Sequence, residues 1–198
     1  MDRQPVLEGP TLHLRPLRPD DWDALFAVAS DPLIWELHPA HDRWQEPVFR
    51  AFFADALMHG GALVVAVRST GLANDRIVGS SRFQAYDPAD GGSVEIGWTF
   101  LERDLWGGTA NAEMKRLMLE HALRFVEAVR FIVGEDNVRS RRAMEKIGGR
   151  LTDWRETRAI AGGEVTHVRY EITRESFANG PLSLHRDQAA RSDSIRCK

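Results

Sequence analysis

Trp106-Gly107-Gly108-Thr109-Ala110-Asn111-Ala112-Glu113 follows closely on the apolar run 94–101 and passes without a break into the helical pattern of Met114-Lys115-Arg116-Leu117-Met118. No other stretch limits the fold as tightly. A strand, a glycine-bearing turn and a helix in succession leave the first N–H groups of the helix without intrahelical partners, and the helix dipole favours negative charge beside them. Two linked phosphates would suit such a turn. A plain strand-to-helix connection has the same local pattern, so the rest of the chain must decide between them.

On the N-terminal side, Thr11-Leu12-His13-Leu14-Arg15-Pro16-Leu17 alternates apolar and polar residues, the period of a half-buried strand, and Pro16 marks an end or an edge. Asp20 and Asp21 stand where they can cap a helix with Trp22, Leu25, Phe26 and Ala29 on one face, stopped by Asp31-Pro32. Residues 33–42 read as a short helix or loop containing Trp35, Glu36, His38 and His41, more aromatic and ionisable content than a linker needs. A second helix is expected over residues 46–59, ended by Gly60-Gly61. Strands over 62–68, 76–85 and 93–101, joined by turn-rich segments, form an antiparallel meander.

In the helix after Thr109, the residues Ala110, Met114, Leu117, Met118, Ala122 and Phe125 share one side. Lys115, Arg116, Glu120 and Arg124 fall largely on the other. A short strand over 130–133 completes a strand-helix-strand unit and predicts a right-handed parallel crossover. Residues 138–147 read as a helix stopped by Gly148-Gly149, and 150–158 with 164–172 as a hairpin around Gly162-Gly163. A last helical turn is expected over 173–178. From Gly180 the chain is polar and patternless, so 180–198 is expected to be a flexible tail after a single domain over 1–179. The fold class is α+β: a mixed, mostly antiparallel twisted sheet of six to seven strands flanked by about four helices.

Composition narrows the partners. A chain of 198 residues, 43% hydrophobic, suits one domain with a full core. A formal charge of −3 gives no reason to expect nucleic acid or an anionic membrane. No apolar run reaches the roughly 18 residues of a spanning helix, and residues 1–5 hold no apolar signal region. Cys197 stands alone, so no intrachain disulfide can form. A cytoplasmic location is expected.

The motifs in this order resemble the GCN5-related N-acetyltransferases, and in detail the branch that includes ribosomal-protein N-terminal acetyltransferases. The residues that carry the resemblance are Glu95-Ile96-Gly97-Trp98, the 106–113 turn, and Asn137-Val138-Arg139-Ser140 running to Glu145-Lys146-Ile147-Gly148-Gly149, with Leu14-Arg15-Pro16-Leu17 and Asp31-Pro32-Leu33-Ile34-Trp35 upstream. It covers roughly residues 10–174. Thr109 stands where the family has a phosphate-contacting glycine, and Asn111 where it has a small residue. Gly149 replaces an aromatic, and Met144 occupies the place of a tyrosine that some relatives use as general acid.

The resemblance implies acetyl-CoA as co-substrate, no metal, and a small-molecule amine or a peptide N-terminus as acceptor. It implies strands that splay so that pantetheine lies along an exposed edge. The pyrophosphate would rest on the N–H groups of Trp106, Gly107, Gly108, Thr109, Ala110 and Asn111, and those near Trp98, Thr99 and Phe100 would face the acetyl oxygen. Ser140 is the candidate on the thiol side, or else a serine bonding the backbone at a helix start. Asn137 is a helix N-cap, a pantetheine contact, or both. Glu95 is the candidate proton acceptor, or an outward-facing strand carboxylate. Trp35, Glu36 and His38 are placed on the acceptor side, where His38 has the pKa of a neutral-pH base unless it is simply a surface residue. Edge strands and the last hairpin are compatible with a homodimer. The competing reading is a catalytically degenerate CoA-binding protein with a regulatory or assembly role.

Overall fold

The computed structural model describes residues 1–69, 75–160 and 163–183. In chain order the elements are β1 (Leu7–Glu8), β2 (Leu12–Pro16), α1 (Trp22–Ala29), α2 (Pro32–Trp35), α3 (Glu46–His59), β3 (Ala62–Val67), β4 (Arg76–Asp87), β5 (Ser93–Leu101), α4 (Ala110–Ala122), β6 (Ala128–Gly134), α5 (Val138–Lys146), β7 (Arg150–Ile160), β8 (Gly163–Thr173) and α6 (Arg174–Ala178). Short 3-10 turns precede α1 and α4. Pro47 sits in the first turn of α3, and Gly60 ends that helix at φ 68°. Gly148 stops α5 at φ 91°, a left-handed conformation that a residue with a Cβ resists.

One eight-stranded sheet runs in the order β1-β2-β3-β4-β5-β6-β8-β7. It has one strand more than the sequence pattern gives, because β1 is only two residues long and shows no period. Every neighbouring pair is antiparallel except β5 and β6, the two strands joined by the α4 crossover. That pair is short. Ser93, Val94 and Glu95 match Ala128, Val129 and Arg130, and beyond them the two strands part. Each keeps its outer neighbour: β5 stays on β4 to Leu101, and β6 stays on β8 to Gly134.

Both faces of the sheet are covered, and β3 shows this in its alternation. Leu63 and Val65 point into a core shared with Met114, Met118 and Phe131, beneath α4. Ala62 and Val64 point the other way, toward Trp35, Phe49 and Phe53 of α2 and α3. The buried strip of α4 is broader than the expected stripe. Leu119 is fully buried, and so is Lys115 at 1% exposure, although its type places it on the polar side; Phe125 is 46% exposed. Glu113 fastens α4 to β2: its Oε1 accepts the Thr11 and Leu12 amides, both at 2.9 Å, and its Oε2 accepts the Thr11 hydroxyl. Asp21 makes no side-chain cap and instead binds Arg15 and the Arg18 amide.

Past Gly180, Leu182 is 3% exposed and belongs to the core. Residues 161–162, at the expected hairpin turn, and 184–198, within the expected tail, lie outside the described residues. Among the described residues no helix is long and apolar enough to cross a membrane.

Candidate active site

The parting of β5 and β6 opens a cleft of about 970 Å³. Residues 96–101 of β5 form one wall and 131–134 of β6 the other; the turn at 105–108 and α5 extend it. Strands that separate leave unpaired backbone edges, so an extended ligand can add hydrogen bonds there as a third strand would.

A bulge shapes the β5 wall. Gly97 pairs with Arg82 and Phe100 with Ser80, so Ser81 alone faces both Trp98 and Thr99. Trp98 takes φ 55°, a conformation that costs an L-residue about 1–2 kcal/mol. Bulges re-aim side chains next to sites, and this one has that effect. The Trp98 ring turns toward Phe52, with centroids 5.5 Å apart, and its Nε1–H donates to Gln84 Oε1. Gln84 Nε2 donates to Glu95 Oε1 at 2.7 Å. Burial raises the Glu95 carboxyl above the usual carboxylate range, opposed by the Gln84 hydrogen bond and the charge of Arg158.

The other residue of the bulge leads downward into the molecule. Thr99 Oγ1 accepts from Lys115 Nζ at 2.7 Å and shares a 2.8 Å hydrogen bond with Ser81 Oγ. Lys115 borders the cleft, and among the described residues no carboxylate pairs with it. Desolvation therefore pushes its ammonium from 10.5 to about 7. Sequence reasoning missed this residue. The available signal was Leu119, four positions on, which widens the apolar stripe to include position 115.

At the turn, Gly107 takes φ 75°, and a Cβ there would meet nothing within 4 Å, so conformation rather than space requires glycine. Thr109 is the residue before α4, with ordinary right-handed backbone (φ −88°, ψ −13°), and its side chain does not cap the helix. Gly107, Gly108 and Asn111 line the cleft; Thr109 and Ala110 do not. Trp106 Nε1 donates to the Leu101 carbonyl at 3.0 Å, and Arg139 lies 4.1 Å over the Trp106 ring. Arg139 also donates to the Ile34 carbonyl, which ties α5, the turn and α2 together.

On α5, Asn137 is 5% exposed and is the N-cap, its Oδ1 accepting the Ser140 amide at 3.0 Å. Ser140, half-buried, lines the cleft beside it.

At the acceptor end the expected residues separate. Trp35 is 2% exposed, packs against Phe100 with ring centres 5.2 Å apart and planes tilted by 48°, and satisfies its Nε1–H on the Ala29 carbonyl, so it acts as core that reaches the cleft wall. Glu36 is exposed and outside the wall. His38 lines the cleft, but its Nδ1 accepts the Ala40 amide at 2.9 Å, and burial with the nearby charges of Arg43, His167 and Arg139 lowers it to about 3. Both effects favour the neutral ring, and its Nδ1 lone pair is already engaged by the Ala40 amide. Arg43, which the sequence did not single out, lines this end at 7% exposure.

Known proteins agree with this architecture. The family model for the acetyltransferase (GNAT) domain matches residues 11–150. A GNAT-family acetyltransferase from Bacillus anthracis is 20% identical, with TM-score 0.69 over 86% of this chain and 99% of that one. RimJ of Mycobacterium smegmatis, solved in complex with CoA-disulfide, is 19% identical, with TM-score 0.64 over 94% of this chain and 93% of that one. The spermidine N-acetyltransferase of Vibrio cholerae, solved with CoA and spermine, is 14% identical, with TM-score 0.64 over 85% and 99%. No curated protein matches the sequence. With a family match across most of the chain and this splayed sheet, the chain belongs to the GNAT acetyltransferase family.

Proposed function

We propose that the protein transfers the acetyl group of acetyl-CoA to a primary amine by direct attack. The observation that carries the reading is the splay after Glu95 and Arg130, which opens one cleft from the Gly107–Gly108 turn to the Trp98 bulge. The residues present fit a phosphopantetheine ligand: two free strand edges suit its amides, and the uncapped start of α4 suits its phosphates. When bound, acetyl-CoA supplies the thioester carbon that the amine attacks and the thiolate that leaves.

The chain's own groups divide the remaining work. Glu95 takes the proton that the substrate ammonium or the attacking amine must lose, and its raised pKa brings it closer to that task than an ordinary carboxylate. Backbone N–H groups at the bulge, around Trp98, Thr99 and Phe100, stabilise the developing oxyanion; one such positioned donor is worth about 3 kcal/mol. Ser140 gives a hydrogen bond to the departing sulfur. Asn137 holds α5 in place through its Oδ1 and offers its Nδ2 to the pantetheine arm.

Release of free CoA thiol across a panel of amines, amino acids and peptides tests the reading. Turnover with at least one acceptor is expected. Its rate should fall as pH drops through the raised Glu95 pKa, because the base must be unprotonated. Glu95→Gln should be slower and lack that limb. Tight acetyl-CoA binding with no turnover on any acceptor would leave a CoA-binding protein without transferase activity.

A further inference from the structure

Arg43 is 93% buried by exposure, yet no carboxylate pairs with it among the described residues, and its Nη1 has no hydrogen-bond partner. Its guanidinium carbon lies 4.5 Å from the Phe52 ring centre, 5.0 Å from Trp98 and 5.2 Å from Trp35. Asp42, its chain neighbour, adds attraction without forming an ion pair. Three rings cover the guanidinium and supply cation–π attraction, but rings cannot receive its in-plane N–H groups. Those groups form a planar fork that a carboxylate meets with two parallel hydrogen bonds. A desolvated charge with an unused donor is costly unless something occupies it.

The rest of the cleft has the same bias. Glu95 is the one carboxylate among its lining residues, against Arg43, Arg139, Arg142, Lys146 and Arg158. A polyamine would meet mostly like charge there. Trp98 joins the two ends of the acceptor region: its ring faces Arg43, and its Nε1–H leads through Gln84 to Glu95.

We propose that Arg43 in its aromatic frame is the carboxylate subsite for the acceptor, and that the acceptor is an amine carrying a carboxylate, an amino acid or a close chemical relative. The inference rests on the acetyl-transfer reading above. Arg43 holds the carboxylate while the amine points toward Glu95 and the bulge.

Matched pairs test it: L-amino acids and β-amino acids, each beside its own carboxamide, with spermidine as the cationic comparison. Two readouts are taken, release of CoA thiol and calorimetric titration of each compound into CoA-saturated protein. The best carboxylate should exceed its carboxamide by about ten-fold or more in kcat/KM and in affinity, as a charged hydrogen bond requires. Arg43→Lys should lose most of that preference and Arg43→Met all of it. Both variants should keep wild-type acetyl-CoA affinity, which certifies their fold.

Equal use of carboxamides, a preference for spermidine, or an unchanged preference in Arg43→Met would overturn the subsite. Absence of thiol release with every compound, and with the amine and peptide panel above, would instead remove the transferase reading. In that case the titration still decides the subsite: a carboxylate preference abolished by Arg43→Met supports it, and no difference between the paired compounds overturns it.

Discussion

Lys115 shows how far residue type misleads when it is read without packing. By type it belongs to the polar side of α4, yet it is 1% exposed and hydrogen-bonded to Thr99. Its amine releases a proton near pH 7 when folded and near 10.5 when unfolded. Between those values the unfolded chain binds more protons, so this group makes stability rise with pH, by about 1.4 kcal/mol per unit. The wild type should therefore gain about 2 kcal/mol from pH 7.5 to 9 that Lys115→Met does not gain. Urea unfolding of both proteins at the two pH values measures it, and parallel pH dependence would refute the buried neutral amine. Gly107 and Gly108 look equivalent in the sequence but are not in the fold. Gly107 is left-handed, whereas a Cβ on Gly108 would make only an ordinary 3.5 Å contact with the Leu105 carbonyl. Gly107→Ala should cost about 1 kcal/mol and weaken acetyl-CoA binding, while Gly108→Ala leaves thermal stability nearly unchanged.

Elements were the most legible scale where punctuation was strong. Helix α3 occupies the expected residues because Pro47 and Gly60 frame it, and β5 matches because a glycine-rich loop precedes it. The bulge was not legible. It depends on Ser81 facing two residues of β5, a matter of register between strands rather than of the composition of either. The clamp between α4 and β2 was equally hidden. Glu113 lies in the first turn of α4, where dipole compensation already accounts for a carboxylate. The fold shows a larger task, three hydrogen bonds to Thr11 and Leu12. Glu113→Ala should cost about 2 kcal/mol, and Glu113→Gln less, because the amide oxygen can still accept. Thermal or urea unfolding reads both, and a loss below about 0.5 kcal/mol in the alanine variant would contradict the clamp.

At the scale of the whole molecule, the order of elements was enough to give the parallel crossover, since a strand-helix-strand unit has essentially one hand. It was not enough to give the acceptor end of the cleft. Arg43 lies in a non-periodic turn between α2 and α3, and only the folded chain brings Trp35, Phe52 and Trp98 around it. The two half-sheets, β1 to β5 and β6 to β8, meet along only three residue pairs. Backbone amides that face the cleft within 96–101 and 131–134 should exchange quickly with deuterium in the free protein. Saturating CoA should slow them, while amides of β3 remain protected throughout. Exchange mass spectrometry localises the effect, and protection confined to some other segment would place the ligand elsewhere.

The three-pair seam has a further consequence, for how the molecule comes apart. So short a ladder transmits little of the free energy of one half-sheet to the other, and the core beneath α4 that both halves share carries the rest of that coupling. A ligand bonded to both strand edges would bridge the halves along the length they do not share. Its binding should then register as a sharper unfolding transition as well as a later one, with the free protein melting over a wider range than a chain of this size otherwise would.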